Sequence, residues 1–158
     1  MMGERIGVGE TFPDIAMAMP DGGSVKASDF AGKKLVVFFY PKDDTPGCTT
    51  ENKDFSALHG EFEQAGIAVL GVSKDPPKKH AKFAEKHGLT APLASDAEEG
   101  GVSDALGIWT EKSMYGRTYM GMERTTYLVG ADGKIAQVWN KVKVKDHAGE
   151  VLAAAKAL

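Results

Sequence analysis

The chain has 158 residues, 42% of them hydrophobic, enough for one domain with a core that needs neither disulfides nor a structural metal. Its formal charge of -3 comes from interspersed acids and bases with no basic run to follow a phosphate backbone, which excludes nucleic acid as an expected partner. Met1-Met2-Gly3-Glu4-Arg5 opens no apolar stretch and no run of about 20 apolar residues follows, so the expected setting is the cytoplasm, away from membranes.

Residues 12–19 and 25–30 flank Pro20-Asp21-Gly22-Gly23, a turn signal that predicts an N-terminal hairpin at a sheet edge. The short apolar run 35–40 predicts a buried strand. Pro46-Gly47 reads as a turn, and from Thr49 to Ala65 the helical recurrence of Phe55, Leu58, Phe62 and Ala65 predicts a helix that Gly66 stops. Residues 67–73 predict a second central strand. Asp75-Pro76-Pro77 opens a helix to His87, with Asp75 as cap, Pro76 as first helical residue and Gly88 as stop. Residues 93–95 predict a short strand and 101–106 a short helix. Strands over 124–129 and 134–139 are joined by Ala131-Asp132-Gly133, and after Asp146 the spacing of Ala148, Val151, Leu152, Ala155 and Leu158 predicts a last helix.

This order predicts an α/β sandwich over 1–158 as a single domain, with a mixed central sheet, helices on both faces and the N-terminal β-hairpin at its edge. Ligands of such sheets gather at the carboxyl ends of the parallel strands, where the chain leaves Tyr40 for the loop before Cys48. A strand over 124–129 running antiparallel to 35–40 starts at that same edge and brings Arg124 there.

Cys48 is the one cysteine, so no internal disulfide forms. In an intracellular protein a lone cysteine is commonly an inert core residue. Here it falls in the first helical turn, where unpaired backbone N–H groups and the positive helix end favour a thiolate nucleophile. Taken alone, Thr45 reads as a turn residue or cap, Arg124 as a surface charge and Glu51 as a partner of the helix dipole or member of a capping box. His59 and His87 near helix ends, and His80 and His147 in charged helical stretches, are expected to be solvated or satisfied. Their spacing fits no zinc site, so no metal is expected. Met114, Met120 and Met122, with Trp109, Tyr115 and Tyr119, most simply pack over the core; the alternative is a pocket mouth or partner surface. Cys-x-x-Cys is absent, which disfavours a dithiol oxidoreductase.

The spacing of Pro41, Thr45 and Cys48, with Tyr40 before them and Met120-Gly121-Met122-Glu123-Arg124-Thr125-Thr126-Tyr127-Leu128-Val129 later, resembles the peroxiredoxins. The segments Lys42-Asp43-Asp44-Thr45-Pro46-Gly47-Cys48-Thr49 and Lys112-Ser113-Met114-Tyr115-Gly116-Arg117 are similar to their bacterioferritin comigratory protein, or Q, branch. The likeness covers nearly the whole chain. It implies a thioredoxin-like fold and a thiol-dependent peroxidase that reduces hydrogen peroxide and small alkyl hydroperoxides through a Cys48 sulfenic acid, without cofactor or metal. It implies that Thr45 and Arg124 orient the peroxide and stabilise the reacting charge, while Pro41, Tyr40, Pro46 and Gly47 shape the pocket. Members of the branch commonly carry a second cysteine five residues after the first; this chain has Lys53 there. The sulfenate is therefore expected to be reduced by an external thiol: glutathione, a thioredoxin or a glutaredoxin. With no second cysteine to require an intersubunit partner, a monomer is expected, and 109–122 is the stretch able to support a dimer. The rivals are a peroxide-sensing relay that passes oxidation from Cys48 to a partner, and a cysteine hydrolase, which needs a histidine in hydrogen-bond reach of Cys48.

Overall fold

The computed structural model describes residues 5–98 and 100–158; the reading of the first four residues lies outside them. Uninterrupted apolar runs form strands where both sheet faces are covered, and two such runs make the centre of this structure. In chain order the strands are β1 (Met17–Ala18), β2 (Ser24–Val25), β3 (Lys34–Phe39), β4 (Ile67–Ser73), β5 (Leu93–Ser95), β6 (Trp109–Met114), β7 (Arg117–Met122), β8 (Thr125–Val129) and β9 (Ile135–Trp139). The helices are α1 (Pro46–Gln64), α2 (Pro77–His87), α3 (Val102–Leu106) and α4 (His147–Ala157).

Seven strands form one mixed sheet in the order β2-β1-β5-β4-β3-β8-β9, the architecture expected from the order of elements. β3 is parallel to β4, with Phe39 opposite Val72, and antiparallel to β8, with Phe39 opposite Thr125. On one face Val36, Phe38 and Tyr40 pack with Phe55 and Phe62 of α1, Phe83 of α2 and Val151 of α4; the Phe38 and Phe55 rings stack 4.2 Å apart. On the other, Leu35, Val37 and Phe39 meet Phe12, Val102, Leu106 and Ile108. Gly71 is needed for this packing, since a Cβ there would stand 2.6 Å from the Phe38 ring and 2.9 Å from Leu93.

Four sequence readings are corrected. The N-terminal hairpin is present but short, and 27–30 is a 3-10 turn. The segment before it is drawn elsewhere: the Phe12 N–H donates to the Gly133 carbonyl (3.0 Å), which ties it to the β8–β9 turn. α1 starts at Pro46, not Thr49, because a proline suits a helix position whose N–H would have no acceptor. α2 starts at Pro77 with Pro76 as its cap residue. Asp75 does not cap it, since its carboxylate accepts the Asp43 N–H and the Ser73 hydroxyl, both at 2.7 Å.

The fourth correction concerns 109–122, which forms a separate two-stranded sheet of β6 and β7 rather than a core cover. Tyr115 (φ 52°) and Gly116 (φ 75°) are both left-handed, as a tight hairpin of this hand requires. Only the base of the hairpin joins the core, through buried Met122 and part-buried Trp109. Met114, Tyr115, Tyr119 and Met120 are exposed, Tyr115 at 97%. No helix among the described residues is long and apolar enough to cross a membrane.

Candidate active site

After Phe39 the chain leaves β3, the Tyr40 N–H donating to the Val72 carbonyl (3.0 Å), and turns through a loop in which Asp44 takes a left-handed conformation (φ 63°). It enters α1 at Pro46, so Cys48 is the third helical residue, only 1% exposed. The N–H groups of Gly47 and Cys48 precede the first acceptors of the helix and are left for a ligand at its positive end.

The antiparallel pairing of β8 with β3 sets Arg124 one residue before the pair Thr125–Phe39, at the edge where the loop begins. Its Nη2 donates to Cys48 Sγ (3.3 Å) and its Nη1 to Glu51 Oε1 (2.6 Å). A guanidinium has donors only, so the sulfur is the acceptor in this contact. Gly47 makes the approach possible: a Cβ there would lie 3.3 Å from Arg124 Nη2, and the guanidinium would have to yield.

Glu51 sits three residues after Cys48, on the same side of α1, and is 1% exposed. Its Oε2 has no hydrogen-bond partner among the described residues. Burial pushes its carboxyl up to about 7, against the pull of Arg124. For Arg124 burial acts against the charge, but Glu51 and the Cys48 sulfur outweigh it and hold its pKa above the ordinary value. The guanidinium is thus a fork with one prong on an acid and the other on the sulfur. This contradicts the reading of Glu51 as a helix-dipole partner; its signal in the sequence was the three-residue step from Cys48.

The remaining predicted residues take varied places. The Thr45 hydroxyl donates to the Lys42 carbonyl (2.8 Å), which leaves its lone pairs as acceptors. The Tyr40 hydroxyl donates to Asp43 Oδ1 (2.6 Å); burial and then Asp43 hold its pKa well above that of a free phenol, so it stays a donor. Pro41 is part-buried in the loop, and Pro46 is exposed as the first residue of α1. The structure therefore gathers Cys48, Arg124 and Gly47 at one point, while the polar atom of Tyr40 is committed to Asp43.

That commitment belongs to a buried network the sequence did not disclose. His80 Nδ1 pairs with Asp43 Oδ2 (2.7 Å) and Nε2 donates to the Ala94 carbonyl (3.0 Å), fastening the Cys48 loop to α2 and β5. His147 pairs with the Thr126 hydroxyl (2.8 Å), His87 with Asp44 (2.8 Å) and His59 with Glu63 (3.2 Å). Among the described residues no histidine hydrogen-bonds Cys48, and no three His, Cys, Asp or Glu side chains are placed to hold a metal ion.

The sequence pattern of the AhpC/TSA family matches residues 8–138. The chain belongs to the AhpC/TSA family. Peroxiredoxin Bcp of Bacillus subtilis is 44% identical to it over 147 residues, 93% of each chain. Peroxiredoxin Bcp of Xanthomonas campestris is 46% identical over 144 residues, 91% of this chain and 89% of that one. A PrxQ mutant of Xylella fastidiosa superposes with a TM-score of 0.89 at 39% identity, over 98% of both chains. The X. campestris bacterioferritin comigratory protein, solved in trapped intermediate and ligand complexes bearing on its alkyl peroxide reduction, gives 0.85 at 42% identity, over 94% of this chain and 98% of that one. The sheet and helices of this AhpC/TSA member are those of the thioredoxin-like peroxiredoxin sandwich.

Proposed function

We propose that this AhpC/TSA member is a thiol-dependent peroxidase for hydrogen peroxide and small alkyl hydroperoxides whose attacking atom is Cys48 Sγ. The observation that carries the reading is the 3.3 Å contact from Arg124 Nη2 to that sulfur at the start of a helix. The thiolate attacks the terminal oxygen of the hydroperoxide, the S–O bond forms as O–O breaks, and the departing alkoxide takes a proton to leave as an alcohol, or as water from hydrogen peroxide. Arg124 and the Gly47 and Cys48 N–H groups supply fixed donors along that line of charge. Thr45, its own hydrogen given to Lys42, accepts the hydroperoxide O–H and sets the orientation. Tyr40, Pro41 and Pro46 hold the loop that screens the sulfur from water.

Cys48 is left as a sulfenic acid, the first rung of thiol oxidation. With no second cysteine in the sequence, an external thiol, small or borne by a redox protein such as a thioredoxin or glutaredoxin, returns it to the thiolate. A lone free thiol suits the cytoplasm, where thiols are kept reduced. The reading takes 1–158 as one domain acting as a monomer. Intact mass after one equivalent of hydrogen peroxide tests it: one oxygen on the wild type, none on Cys48→Ser, and catalytic loss of peroxide when a thiol is added. An unoxidised wild type, or oxidation that stops at one equivalent in the presence of every thiol class, overturns it.

A further inference from the structure

Arg124 also helps wall a cavity of about 410 Å³ beside β6, together with Thr110, Glu111, Lys112, Glu123 and Lys141. Its charge is one-sided. Both Glu123 oxygens are taken by Arg5 (2.7 and 2.9 Å) and one also by the Thr125 hydroxyl (2.9 Å), so that carboxylate is already answered. Arg124 is likewise answered by Glu51 (2.6 Å), which leaves Lys112 and Lys141 facing the cavity against Glu111. Lys112 is part-buried and gives one hydrogen to the Met122 carbonyl (2.6 Å), which leaves two of its three donors free. Burial and then Arg124 lower its pKa, with Glu123 and Cys48 pulling the other way, so it lies within the field of the reacting sulfur. Lys141 is exposed, directly before Val142, whose N–H donates to the Arg124 carbonyl (2.9 Å), and it makes no ion pair among the described residues.

A desolvated ammonium crowded by a guanidinium gains most from an anion. The space is that of a small molecule, and a sulfur 1% exposed favours a slender thiol over one set in a folded surface. We infer that the Lys112–Lys141 cavity seats a carboxylate of the small thiol that reduces oxidised Cys48. The inference rests on the peroxidase reading and names its reductant by chemistry.

The thiol sulfur attacks Sγ of the sulfenic acid; the S–S bond forms, the S–O bond breaks, and hydroxide leaves as water with the proton of the thiol. A second thiol attacks the outer sulfur of this mixed disulfide, releasing the Cys48 thiolate and a symmetrical disulfide. The two electrons come from the two thiols. A carboxylate could also enter on a hydroperoxide, and the two half-reactions separate these sources.

The protein is oxidised with one equivalent of hydrogen peroxide, freed of excess, and mixed with glutathione or its diethyl ester at equal thiolate concentration, with quenched intact mass as the readout. Wild type is expected to react about tenfold faster with the acid than with the ester. In Lys112→Gln/Lys141→Gln the ratio falls to near one, and Lys112→Arg/Lys141→Arg restores it. Equal rates in the wild type, or a ratio that survives the glutamine pair, overturns the inference. So does a ratio that moves only in the oxidation half, measured with a carboxylate-bearing hydroperoxide and its methyl ester, because the cavity then serves the oxidant. If Cys48 gains no oxygen at all, the peroxidase reading itself has failed and the inference falls with it, a result distinct from the others.

Discussion

The loop before Cys48 is flanked by two sets of buried polar groups that differ in how well they are matched. On the α2 side the Tyr40 hydroxyl, both Asp43 oxygens and both His80 nitrogens have partners at 2.6 to 3.0 Å. On the α1 side Glu51 keeps one oxygen unpartnered among the described residues, its carboxyl is pushed up to about 7, and Arg124 divides itself between acid and sulfur. A fully satisfied network fixes a structure; one left short is a place where a reacting molecule completes the set. The first flank holds the loop, and in the proposed peroxidase the second is the one that substrate would finish.

The contrast can be broken by substitution. Asp43→Ala strands the Tyr40 hydroxyl and the His80 ring in the interior, and urea unfolding is expected to show a loss of about 3 to 5 kcal/mol. A loss no larger than that of a surface change would demote the network to decoration. Arg124→Ala acts on rate instead: stopped-flow oxidation of Cys48 is expected to slow about a hundredfold, some 2.7 kcal/mol of transition-state stabilisation, with the fold intact. An unchanged rate removes the guanidinium from the chemistry.

Glu51 sharpens the comparison through pH. Its folded value of about 7 stands above the ordinary 4.5, so the fold keeps a proton that the unfolded chain gives up. That contribution is fully present below pH 4.5 and is lost as the pH rises through about 7, on the order of 3 kcal/mol in all. Glu51→Gln should remove this slope, and unfolding curves of both proteins across that window would expose a slope that persists. The smallest effect is expected from Gly47→Ala, whose methyl at 3.3 Å displaces Arg124 Nη2 by a few tenths of an ångström. Oxidation slows several-fold with stability nearly unchanged; a rate equal to wild type means the guanidinium moves without consequence.

Much of the fold could be read from the chain because central strands and helices carry it in their apolar spacing, as 35–40, 67–73 and Phe55-Leu58-Phe62 do. The β6–β7 hairpin was missed since its apolar side chains sit largely on a surface, and its left-handed turn begins with Tyr115 where Asn, Asp or Gly would have announced it. At the site, the place of Cys48 followed from a strand leading into a helix, and the meeting with Arg124 from the direction of β8. Glu51 was read as a dipole partner because a helix starting at Thr49 puts it in the first turn, whereas the start at Pro46 puts it in the second and its partner Arg124 is 73 positions away. The Asp43–His80 pair joins segments 37 residues apart, and no local pattern encodes it.

Cys48 and Arg124 are separated by 76 residues of chain. A polypeptide emerging from the ribosome amino end first therefore carries its sulfur for some time before the guanidinium that touches it in the fold has been made. Only when β8 docks beside β3 do the two meet, so the contact proposed to activate the sulfur belongs to the finished fold alone.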